Sequence, residues 1–181
     1  MTQGQWIALA VGAVLVFWMV GAYNRLVALR TAIGGAMAQL VDLVHRRAAS
    51  AAALHDAVRD AMAAEHSALE AWAQAQTQVR QAADALRAKP VMSNLASTLV
   101  AEEAALAAAT SRVLALLEQH RELPSDAEVA VHLAALREVE SRLGFARTLF
   151  NEAAQTYNQA VREWPTRLLA RLFGFGTAGR I

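Results

Sequence analysis

A chain of 181 residues with 17 Lys+Arg against 16 Asp+Glu, a formal charge of +1, offers no basic field for a nucleic-acid backbone, so nucleic acid is not an expected partner. The absence of cysteine excludes disulfides, lipoprotein attachment and thiolate metal sites. Hydrophobic residues reach 56%, much of it alanine, while nine glycines, three prolines and 6% aromatics leave little turn-forming or sheet-forming material; the abundance of Leu, Ala, Arg, Glu and Gln predicts an all-α fold.

The first charged side chain is Arg25. Before it, residues 6–22 hold no charge and no proline, and include Trp6, Leu15, Phe17, Trp18 and Ala22. A helix of this length rises roughly 25 Å, and its neutral flanks complete a bilayer core of about 30 Å. Trp6 at one end and Trp18 with Tyr23 at the other suit the two interfaces. A cleaved signal peptide is the rival reading, but the leading residues MTQGQ carry no Lys or Arg. The positive charges follow the span, at Arg25, Arg30, Arg46 and Arg47, which predicts the N-terminus outside and the C-terminal bulk in the cytoplasm. The expected organisation is an anchor over residues 1–24, a cytoplasmic helical bundle over 25–165 and a basic amphipathic tail over 166–181.

Beyond the anchor, apolar residues step by alternate threes and fours. One run is Leu26, Leu29, Ile33, Ala36, Leu40, Leu43; a second is Met62, Glu65, Leu69, Trp72, Gln76, Val79, Ala83, Leu86. A third is Leu95, Leu99, Glu102, Leu106, Ala109, Val113, Leu116, and a fourth runs Leu136, Val139, Leu143, Ala146, Phe150, Ala153, Tyr157, Ala160, Trp164. Such stripes predict coiled-coil-like helices packing left-handed near +20°. Lys89-Pro90 and Leu123-Pro124 mark helix ends, and Pro165 closes or kinks the last helix. Ser125-Asp126-Ala127-Glu128 matches a capping box with Ser125 as N-cap. Between Leu43 and Met62 the stripe slips by one residue. That marks either a turn near His45-Arg46-Arg47 or the drift of an unbroken helix against a 3.5-residue repeat. The expected fold is therefore a transmembrane helix followed by an antiparallel up-and-down four-helix bundle, or three long helices if the first break is absent.

Catalytic and metal chemistry find little foothold. Asp42-x-x-His45, His66-x-x-x-Glu70 and Glu128-x-x-x-His132 are not the repeated Glu-x-x-His of bundle di-iron sites. Ser93, Ser97 and Ser111 lack a glycine-rich elbow or an evident His partner. No enzyme activity, cofactor or metal is expected. Glu65 and Glu102, at stripe positions, read as edge residues or as partners of a neighbouring arginine, the alternative being buried functional carboxylates.

The C-terminal third carries a more specific signal: Glu140-Ser141-Arg142-Leu143-Gly144-Phe145-Ala146-Arg147, then Phe150-Asn151, Tyr157-Asn158, Trp164-Pro165 and Phe173-Gly174-Phe175. With Tyr23-Asn24-Arg25-Leu26-Val27-Ala28-Leu29-Arg30 and the paired Arg46-Arg47, this series resembles the LemA family from the anchor to the tail. Where that family reads D-L-I-P-N-L-V after its two arginines, this chain has Ala49-Ser50-Ala51-Ala52-Ala53-Leu54-His55, so the helix-starting proline is Ala52. The resemblance implies a four-helix bundle on an N-terminal anchor and a membrane role with no established catalysis. Arg142, Arg147, Asn151 and Asn158 are the polar residues of the similar stretch. The arginines are expected to bridge to carboxylates on the adjacent helix and the asparagines to bond backbone at a close approach; the alternative is that the four form a partner surface.

The tail interleaves Trp164, Arg167, Leu168, Arg171, Leu172, Phe173 and Phe175, the composition of a short interfacial helix. Four up-and-down helices would return it to the bilayer; three would leave it far away. The reading is a non-enzymatic, single-pass protein of the bacterial cytoplasmic membrane, a helical scaffold or adaptor whose partners are the lipid bilayer, other membrane proteins and other copies of itself. The alternative is an accessory or regulatory subunit of an envelope protease or transporter.

Overall fold

The computed structural model describes residues 2–120 and 122–181. It is all-helical, with no strand among the described residues. Helix α1 spans Gln3–Val58, α2 His66–Ala88, α3 Ser93–Gln119, α4 Ala127–Arg162 and α5 Thr166–Leu172.

The part of α1 ahead of Arg25 is apolar and exposed: Trp6, Ile7, Leu15, Phe17 and Trp18 touch no other element enough to be buried. This helix is long and apolar enough to cross a membrane. From Leu26 onward the same helix becomes one wall of a core, burying Leu26, Ile33, Met37, Leu40, Val41 and Val44. No break separates the apolar stretch from this wall, and none occurs near His45-Arg46-Arg47. The turn suggested there lies at residues 59–65, so the drift reading holds through Arg47 and the first break comes later. Met62, fully buried, plugs the end of the core beneath a short 3-10 turn, Ala63–Glu65. Nothing between Val58 and His66 is a helix breaker, so this turn is set by packing.

The other boundaries carry local signals. Pro90 keeps Lys89 out of the helical region, at φ −141°, and α2 stops at Ala88. Helix α3 ends at Gln119, before the Leu123-Pro124 pair, which instead forms a 3-10 turn with Ser125. The cap of α4 is Asp126, not Ser125: its carboxylate accepts from the N–H groups of Glu128 (2.9 Å) and Val129 (3.1 Å).

Cross-helix pairs fix the packing. His45 meets Asp84 and His55 meets Glu70 between α1 and α2. Trp72 Nε1 donates to Thr110 (2.9 Å) and His120 meets Glu65 between the α2 region and α3. Arg25 meets Glu163 and Arg47 meets Glu140 between α1 and α4. Helices α3 and α4, by contrast, hardly touch directly. The final stripe ends differently from its periodicity: Trp164 is 75% exposed rather than seated in the seam.

Candidate functional site

Two polar constructions hold the α3–α4 side together. The first centres on Arg47, which is 2% exposed. Its Nη2 and Nη1 donate to the two oxygens of Glu103 at 2.8 and 3.0 Å, and Nη1 also reaches Glu140 at 3.2 Å. Arg147 Nη2 adds a bond to Glu103 at 2.6 Å. Three helices thus meet in one ionic cluster: Arg47 of α1 and Arg147 of α4 bond the Glu103 carboxylate of α3, and Glu140 of α4 bonds Arg47 in turn. Burial pulls the Arg47 pKa down, but the facing carboxylates of Glu103 and Glu140 outweigh it and raise the value. Burial likewise pushes Glu103 up, and the two arginines overcome it, leaving its pKa below the ordinary carboxylate range. A carboxylate saturated this way stays ionised near neutral pH and has no proton to offer as an acid. An open groove of about 450 Å³ lies beside it, lined by Arg47, Glu103, Thr110, Ser111, Glu140 and Arg147. Arg47 Nε has no protein partner.

The second construction is a clasp. Asn158 Nδ2 donates to Ala178 O at 2.9 Å, and the Ala178 N–H donates back to Asn158 Oδ1 at 2.7 Å. Asn151 repeats the exchange with Ile181, whose N–H reaches Asn151 Oδ1 at 2.9 Å. The register follows from elementary spacing. Seven residues of helix rise about 10.5 Å, and three residues of extended chain span about 10 Å. Two asparagines seven apart therefore match two backbone amides three apart, and the tail runs back along α4. Gly179 lies between the clasped residues; a Cβ there would fall 2.6 Å from Ala96 Cβ and 2.9 Å from Ser93 Cα. The terminal segment thereby fills the gap that α3 and α4 leave.

The turn into that segment brings the tail to α1. Gly174 adopts φ +70°, a conformation that suits glycine, and the Phe175 N–H bonds Ala170 O at 2.8 Å to close α5. Phe173 and Phe175 consequently flank Tyr23, edge to face, with ring centroids 5.1 and 5.8 Å away. Tyr23 is where the apolar stretch of α1 ends.

The LemA family sequence profile matches residues 36–180, most of the chain. The chain belongs to the LemA family. Shorter stretches are similar to magnetosome proteins. It is 34% identical over 67 residues to magnetosome protein MamQ of Magnetospirillum gryphiswaldense, covering 37% of this chain and 25% of that protein. It is also 34% identical over 70 residues to magnetosome protein MamQ 2 of Paramagnetospirillum magneticum, covering 39% and 26%. The chain spans about a quarter of the length of these curated relatives. Family membership and the exposed apolar stretch of α1 together mark a membrane-associated protein.

Within this LemA chain the residues singled out by sequence take distinct places. Trp6, Leu15, Phe17 and Trp18 are exposed along α1, with Ala22 half-buried. Trp164, Arg167, Leu168, Arg171 and Leu172 are exposed at the α4–α5 end, while Phe173 and Phe175 meet Tyr23. Of the four family-like polar residues, Arg147 bridges to α3, Asn151 and Asn158 hold the chain's own tail, and exposed Arg142 pairs with Glu138 one turn away. Periodicity pointed to Glu102, but the neighbouring Glu103 enters the ionic cluster. Its partner Arg47 was marked in the sequence only as one of the paired arginines Arg46-Arg47, with nothing to say that it is buried. Among the described residues no group of three or more His, Asp or Glu side chains is placed to hold a metal.

Proposed function

We propose that this LemA protein is a non-enzymatic, single-pass protein of the cytoplasmic membrane, oriented N-terminus out. Its four long helices form an antiparallel up-and-down bundle that works by contact, as a scaffold or adaptor at the membrane surface. The tail supplies a second foothold on the bilayer. The observation that carries this reading is the packing of Phe173 and Phe175 on Tyr23. It sets the exposed apolar side chains of α5 beside the point where α1 emerges from its apolar stretch. The opposed pairing Arg25–Glu163 and Arg47–Glu140 supports the antiparallel arrangement.

The test is a photo-crosslinking amino acid at Leu168, irradiated in living cells. Lipid adducts are the expected product. A single discrete protein adduct in their place would overturn the foothold and favour a subunit bound to one envelope enzyme or transporter.

A further inference from the structure

We propose that the membrane-facing end of the molecule is a binding surface for anionic lipid headgroups. The proposal rests on the foothold reading and adds the chemistry of its partner.

Charge is the first argument. Arg25 and Arg30 on α1, Arg162 at the end of α4, and Arg167 and Arg171 on α5 gather around this end, against one carboxylate, Glu163. Acids outnumber bases in the remainder of the chain, so the overall charge of +1 conceals a strongly basic end. Arg25 is paired with Glu163 at 3.1 Å. Arg30, Arg162, Arg167 and Arg171 are exposed and have no acidic partner among the described residues. Four unpaired guanidinium groups on one end repel one another unless an external anion lies among them.

Geometry is the second. At 100° per residue, Leu168 and Leu172 of α5 share a face, 57% and 73% exposed, with Trp164 just ahead of them. Thr166, Leu169 and Ala170 take the opposite, buried face. Arg167 and Arg171 adjoin the exposed apolar stripe along one side. Leucine and tryptophan side chains entering the acyl boundary would hold these guanidinium groups at the depth of the lipid phosphates, where their paired N–H groups suit phosphate oxygens.

Arg25 and Arg162 line one open groove with Glu163, while Arg30, Arg167 and Arg171 lie outside it; the set as a whole is spread along a surface, which matches an array of headgroups better than one soluble phosphate. Neutral lipids carry a compensating cation beside each phosphate, so only anionic lipids neutralise the excess.

The experiment uses the full chain in nanodiscs of neutral phosphatidylcholine, with or without anionic phosphatidylglycerol. Because the chain lacks cysteine, Leu168→Cys provides a single site for an environment-sensitive dye, read by its shielding from an aqueous quencher. Shielding is expected in anionic discs, weakening as salt rises. It should fall about five-fold for each arginine removed in Arg167→Gln and Arg171→Gln, and persist in the Lys variants. Equal, salt-insensitive shielding in both disc types would overturn anionic recognition while leaving the foothold standing. Exposure to quencher in both would defeat the foothold and this inference together. Shielding produced in neutral discs by inorganic phosphate alone would show an anion site indifferent to lipid, and overturn it. Circular dichroism of each variant confirms that helices are retained.

Discussion

Arg47 keeps its charge in the interior because Glu103 and Glu140 face it, and Glu103 is in turn shared with Arg147. Removing one partner of such a cluster costs more than the cluster contributes, because a buried charge is left undercompensated. Glu103→Gln should lower the unfolding free energy by about 3 kcal/mol, seen as an earlier denaturant midpoint of the detergent-solubilised chain. The pH dependence has a definite sign. The folded pKa of Glu103 is depressed, so its contribution is complete above the ordinary carboxylate value of about 4.3 and is lost as pH falls through the lower folded value. The acid limb of the stability profile should therefore be shallower in Glu103→Gln than in the native chain. The clasp permits a separate residue-scale test. Asn158→Leu deletes two hydrogen bonds and leaves the Ala178 amide unpaired, for about 1–2 kcal/mol. Amide exchange at Ala178 should accelerate sharply while the α1–α4 amides stay protected; unchanged exchange would mean that Gly179 packing alone holds the tail.

At the scale of elements, helix ends divide into those written locally and those imposed by packing. Pro90 writes one, and Asp126 writes another through its two backbone bonds. Asp126→Ala should cost about 1 kcal/mol, whereas Ser125→Ala, which removes no cap, should leave the denaturation midpoint unchanged. The reverse ranking would restore Ser125 as the cap. The end of α1 has no such author. Residues 59–65 contain neither glycine nor proline, and the turn there is held by packing: Met62 is fully buried and Glu65 pairs with His120 at the end of α3.

At the scale of the molecule, the terminal segment does the work of a missing helix contact. Helices α3 and α4 are joined by Glu103 with Arg147 and by the extended tail seated between Asn151, Asn158 and Ala96. Ahead of that segment, Phe173 and Phe175 bring the end of α5 to Tyr23, at the start of the core-forming wall. A cysteine pair at Tyr23 and Phe173, introduced into this cysteine-free chain, should crosslink within single molecules in the membrane. Crosslinks found only between molecules would place the tail on a neighbouring copy.

Sequence alone determined the all-helical class, the apolar stretch ahead of Arg25 and membership of the LemA family, because composition, charge spacing and motif spacing are local properties of the chain. It also marked Asn151 and Asn158 as asparagines bonding backbone, yet not which backbone they hold. Their ligand is a backbone segment 20 and 30 residues away, which no side-chain pattern announces. The first break, the choice of Glu103 over Glu102, and the return of the tail to Tyr23 were decided only in the tertiary structure. Each depends on which helix lies opposite, and a heptad stripe states that a face is buried without naming the partner that buries it.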